Sequence, residues 1–203
     1  MSTMFEHITV SPVSSYGDLQ SVLSLRAQGY WRWFQDAESA EDGLDDLPET
    51  TIYIARLPNG QVVGTARVRL IGGTSWQGGQ PMLEVSLVAV SPGWRHRRAA
   101  KHLLWKAAFS HALAHGCHHV AAVLPEGFER ECRALGLRRA ATAEAHHGQL
   151  AALPGAEIFS ASLLEVRERL RCTRNAFQRT LLDGNSAGNI RLRRQGAGDA
   201  RAA

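Results

Sequence analysis

An apolar run, a short basic loop and a long helix follow one another between Met82 and His115, and this succession limits the fold more than any other stretch. Met82–Val90 carries Leu83, Val85, Leu87, Val88 and Val90 and reads as a buried strand. Ser91-Pro92-Gly93-Trp94-Arg95-His96-Arg97-Arg98 interrupts it. A helix then runs from Ala99 to about His115, with Gly116 at a natural C-cap position. His119–Leu124 is the next β-rich run. Strand, helix and strand in that order belong to an α/β architecture built around a mixed sheet.

The flanking elements fit the same class. His7–Val13 reads as a strand, and Tyr16 to about Phe34 as a helix with Leu19, Val22, Leu23 and Arg26 at helical spacing. Seven acidic residues and no basic one lie between Asp36 and Glu49, which reads as a loop. Thr51–Leu57 and Gln61–Ile71 form a hairpin across Pro58-Asn59-Gly60. Gly72–Gln80 reads as a glycine-rich loop and Gly127–Leu135 as a short helix closed by Gly136. Leu137–Ala143 and Glu157–Leu164 complete the strands, and Val166–Leu182 is helical. The Gly-rich, basic segment 184–203 reads as a disordered tail.

At 203 residues, the chain suits a single domain. No apolar run approaches about 18 residues, which excludes a membrane span, and the first 30 residues lack a secretory pattern. Three cysteines without framework spacing, Cys117, Cys132 and Cys172, suggest reduced thiols and a cytoplasmic location. Residues 1–94 carry a net charge of −5 and residues 95–203 a net +9. Lys101 and Lys106 are the only lysines, so the basic surplus is arginine, whose planar fork suits phosphate and carboxylate. Codon bias is the plain alternative.

The loop at 91–98 is a phosphate site by physics, since a helix start presents free N–H groups and positive dipole potential. Arg95, His96, Arg97, Arg98, Ala99 and Ala100 would hold the phosphate there, although a solvated basic loop has the same composition. The stretch Val90 to Leu104 resembles, without a gap, the acyl-donor motif of the GNAT acyltransferase superfamily. Arg95 takes the motif's first basic place and Ala100 its last, while Arg98 stands where glycine is usual. The resemblance covers roughly residues 5–165 and implies a GNAT-like fold over 1–165, followed by a packed helix at 166–183. It implies a mixed sheet whose central strand splays from its neighbour, so that backbone N–H groups of Leu87, Val88, Ala89 and Val90 polarise a thioester carbonyl. No nucleophilic side chain is needed, because the acceptor amine attacks directly.

A narrower pattern adds Arg26, Trp31 to Phe34, the Asp-rich loop with Asp42, Asp45 and Asp46, Val63-Gly64-Thr65-Ala66-Arg67, and Glu84-x-Ser86. It resembles the acyl-homoserine-lactone synthases and the long-chain N-acyl amino acid synthases, with Leu87 where the former carry arginine. That likeness implies transfer of an acyl chain from acyl carrier protein or coenzyme A to a small-molecule amine. It implies an acceptor site shaped by Arg26, Trp31, Phe34, Asp45 and Arg67, with Glu84 and Ser86 on the catalytic strand. Glu84 can take an ammonium proton or merely pair with Arg67 across the sheet. Arg26 can hold an acceptor carboxylate or pair with the acidic loop. Aligning Leu135-Gly136-Leu137 with the family's usual Leu-Gly-Phe puts Cys132 where many relatives have a tyrosine acid, so Cys132 serves there or is a buried core residue. His111, His115 and Cys117 have metal-like spacing, but they continue the stripe of Leu104 and Ala108, which is the pattern of a packed helix face; no metal is expected. Two other readings stay open: an ordinary acetyl-coenzyme A acetyltransferase, and a non-catalytic basic module, with nucleic acid disfavoured by the scarcity of interleaved aromatics.

Overall fold

In the computed structural model, which describes residues 8–41, 43–72, 81–92, 97–140 and 155–173, the alternating apolar runs pair into one sheet. Its strands are β1 (Thr9–Pro12), β2 (Thr50–Arg56), β3 (Val62–Ile71), β4 (Met82–Val90), β5 (His119–Pro125), β6 (Arg138–Arg139) and β7 (Ala156–Ser162). They lie in the order β1-β2-β3-β4-β5-β7-β6. Every neighbouring pair is antiparallel except β4 and β5, which run parallel because a helix connects them. The described helices are α1 (Tyr16–Gly29), α2 (Arg97–Ala114), α3 (Glu129–Leu135) and α4 (Leu163–Cys172).

The helices divide between the two faces as the apolar residues dictate. Leu104, Phe109 and Ala112 of α2, Cys132 and Leu135 of α3, and Val166 and Leu170 of α4 bury against Leu83, Val85, Val120 and Phe159 in the main core. On the other face Val22 of α1 packs with Ile52 and Ile54. Leu25, Tyr30 and Phe34 pack with Leu87, Ala89 and Val123 in a second cluster at the centre of the sheet.

Three element boundaries differ from the sequence reading. Helix α1 stops at Gly29 rather than near Phe34, because Tyr30 and Phe34 turn in to fill the second cluster. A Cβ at Gly29 would sit 3.1 Å from the Ala89 Cβ, so the helix end approaches β4 closely only because it has no side chain there. Helix α4 begins at Leu163, three residues early and at the expense of β7, since Ser162 and Glu165 close a reciprocal capping box. Strand β6 is only two residues long. The expected loop at 73–80, the donor-loop residues 93–96, and everything after Thr173 lie outside the described residues.

Candidate active site

The sheet opens at β4, and its ladder registers show where. Pairing with β5 runs from Met82↔His119 to Ser86↔Val123 and ends there. Toward β3, Arg67 pairs with Ser86 and Thr65 with Ala89, so Leu87 and Val88 together face the single residue Ala66. This is a β-bulge, and Leu87 is the only non-glycine residue with positive φ (51°) among the described residues. A leucine in that conformation is strained and persists because the packing around it fixes it. Beyond Ser86 the backbone of Leu87–Val88 thus lies outside the β5 ladder and inside a bulge of the β3 ladder. The Tyr30 hydroxyl reaches into this place and donates to the Val88 carbonyl oxygen at 2.9 Å.

A polar array lies beside the bulge on the α1 face. Arg26 of α1 and Arg67 of β3 have 0% side-chain exposure and converge on Asp45, itself 6% exposed. Arg26 grips both Asp45 oxygens in a bidentate fork, Nη2 to Oδ1 at 3.0 Å, and Arg67 Nη1 lies 3.4 Å from Oδ1. Arg67 Nε also donates to Ser86 Oγ at 3.0 Å. One register step along, Arg69 faces Glu84 and Nη2 donates to Oε2 at 3.0 Å. Among the described residues, three guanidinium groups meet two carboxylates in this array. Arg26 Nε is buried without a hydrogen-bond partner among those residues.

The alternative in which Glu84 pairs with Arg67 across the sheet is therefore corrected. The register puts Glu84 opposite Arg69 and Ser86 opposite Arg67. The spacing Arg67-x-Arg69 against Glu84-x-Ser86 carried this signal, since all four residues share one face. Of the two roles open to Arg26, pairing with the acidic loop is the contact present.

The remaining candidates fall in three places. Phe34 joins the second core cluster, but Trp31 is 69% exposed and meets the Arg32 guanidinium 5.4 Å from its ring centroid instead. Arg97 opens α2 and Arg98 is exposed in its first turn, while Ala99 and Ala100 bury their methyl groups in the core. Arg95 and His96 lie outside the described residues. Cys132 is fully buried among apolar side chains, and burial drives its thiol far above the ordinary range. Such a thiol is a poor proton donor.

Next to the start of α2, Glu131 fastens α3. It accepts from Lys101 Nζ at 2.6 Å and from Trp105 Nε1 at 3.1 Å, with the ammonium 4.4 Å from the Phe128 ring centroid. His111 bonds Tyr53 through Nδ1 at 3.0 Å and stacks on His115, and no metal-holding cluster occurs among the described residues. Nor is any described helix long and apolar enough to cross a membrane.

Residues 19–137, more than half of the chain, match the model of the Acetyltransferase (GNAT) family. The chain belongs to that family. It is thus a GNAT N-acyltransferase, which sets aside the non-catalytic reading. Solved structures share the fold. An N-acyl amino acid synthase from uncultured soil microbes, FeeM, superposes with TM-score 0.62 at 14% identity, over 80% of this chain and 94% of that one. The GNAT-family acetyltransferase from Staphylococcus aureus gives TM-score 0.57 at 11% identity, over 77% and 99%. The acetyltransferase from Streptococcus agalactiae gives 0.55 at 15%, over 78% and 99%. A search of curated proteins returns no match.

Proposed function

We propose that this GNAT acyltransferase moves an acyl chain from a phosphopantetheine thioester to the amine of an amino acid or a close derivative. The observation that carries the reading is the buried convergence of Arg26 and Arg67 on Asp45 one register step from the Arg69–Glu84 pair. A free amino acid presents a carboxylate and an ammonium a few ångströms apart, matching guanidinium groups placed beside a carboxylate. The guanidinium array draws the carboxylate, and Glu84 takes a proton from the ammonium, directly or through one water. The freed amine attacks the thioester carbonyl. Its oxygen becomes an oxyanion held by the N–H groups of Leu87–Val88, and collapse of the tetrahedral species forms the amide and expels the thiolate, which is then protonated.

Acyl carrier protein is the donor this reading favours. Its phosphopantetheine arm has a single phosphodiester, so the glycine that admits a pyrophosphate is dispensable at the exposed Arg98. The net +9 of residues 95–203 steers an acidic carrier toward the start of α2. The test is mass spectrometry of lipid extracts from cells expressing the protein or its Glu84→Gln variant. New N-acyl amino acids that depend on Glu84 are expected. A parallel rate measurement compares one acyl chain on the carrier and on coenzyme A. Equal or better kcat/KM with coenzyme A, insensitive to salt, would favour the ordinary acetyltransferase reading instead.

A further inference from the structure

We propose that Tyr30 is a positioning residue for acyl transfer: its hydroxyl covers the Val88 carbonyl oxygen so that this oxygen does not oppose the N–H donors that the β4 bulge presents to the reacting thioester. The inference rests on the reading of Leu87–Val88 as the oxyanion segment. A bulge releases carbonyl oxygens as well as N–H groups from the ladder, and the two have opposite effects on a nearby oxyanion. An uncovered Val88 oxygen would repel the charge that the N–H groups attract. The Tyr30 hydroxyl removes that repulsion by donating to the oxygen at 2.9 Å.

The surroundings of Tyr30 suit a fixed donor and not a proton shuttle. Its ring is buried and stacks on Trp33 at 5.2 Å between centroids, with Phe34 at 6.4 Å. Burial pushes its phenol well above the ordinary range, Arg26 and Arg67 opposing and Glu131 reinforcing the shift. The group therefore stays protonated at any working pH, and it is too weak an acid to supply the leaving thiolate. Gly29 immediately before it lets α1 come close enough to Ala89 for the hydroxyl to reach.

The experiment compares the full chain with Tyr30→Phe, which keeps the ring and its stacking. Donors are decanoyl-coenzyme A and decanoyl carrier protein, and the acceptor is an equimolar mixture of the twenty amino acids. We expect kcat to fall tenfold or more, with donor and acceptor KM within twofold and thermal stability lowered by only a few degrees. A second readout needs no acceptor. The infrared carbonyl stretch of bound decanoyl thioester, carbon-13 labelled at the carbonyl, should lie below its value in water with wild type and move back up in the variant. An unchanged kcat, a fall in kcat matched by a rise in KM, or an unshifted stretch would overturn the role of Tyr30. If the wild type transfers to no amino acid while the stretch still responds to Tyr30→Phe, the acceptor assignment fails and the role of Tyr30 survives.

Discussion

Asp45 is shared by two guanidinium groups that have no access to solvent, and its removal would take from buried Arg26 its bidentate partner. Breaking a buried ion pair from one side costs about 3–5 kcal/mol. Asp45→Asn should therefore lower unfolding free energy by about that amount, seen as a reduced midpoint in urea with an unchanged slope. Asp46→Asn should have little effect. Reading Asp45 rather than Asp42 or Asp46 out of a run of seven acids needed the family pattern, because composition treats them alike. Arg26, Arg67, Glu84 and Ser86 were legible in the same way. Tyr30 and the Glu84–Arg69 pairing were not. The first depends on a bulge that forms only when β3, β4 and α1 meet, and the second on a register that one residue of slippage would reverse.

At the level of elements, local signals placed most of the fold. The apolar run at 82–90, the glycines at 116 and 136 and the Pro-Asn-Gly turn each set a boundary within one or two residues of the structure. The C-terminal helix began early because the Ser162-x-x-Glu165 box, readable as a start signal, lies inside an apolar run that also suits a strand. Ser162→Ala should cost about 1 kcal/mol by removing the acceptor for the Glu165 N–H, measured by chemical denaturation. Gly136→Ala should cost more. Its φ is +90°, and a Cβ there would lie 3.0 Å from the Arg169 Cβ, so strain and a clash add. Gly29→Ala tests the other face of the sheet. Pushing α1 off Ala89 should lower kcat along with stability, whereas Gly136→Ala should lower stability alone.

Across the whole molecule, a buried titratable pair ties stability to pH. Burial lowers the His111 pKa from 6.5 to about 4, with the charge of neighbouring His115 adding to it, while its Nδ1 bonds the Tyr53 hydroxyl. The folded state therefore favours neutral His111. Its contribution is fully present above pH 6.5 and is lost as pH falls toward 4, because the unfolded chain binds the proton first. Denaturation midpoints should decline over that window, and the decline should be shallower in His111→Gln. The split between β4 and β5 belongs to this scale too. It depends on a parallel pair whose connection is helical, so the order of elements shows that a crossover exists but not where its ladder stops. Ser86 as the last paired residue is a consequence of the bulge at Leu87, and no periodicity in Met82–Val90 marks it.

The two lysines of the chain acquire a further meaning once a thioester is the working reagent. Activated acyl groups slowly modify protein ε-amines on their own, and they do so through the deprotonated, accessible amine. Lys101 pairs with Glu131 beside the Phe128 ring, and Lys106 is buried. Arginine, which carries nearly all the remaining positive charge, does not undergo this side reaction. A thioester donor drawn by this arginine charge would meet a cation that it does not acylate. Prolonged incubation with excess decanoyl-coenzyme A should leave both lysines unmodified by intact-mass and peptide analysis, while a surface Arg167→Lys variant gains an acyl adduct at that position.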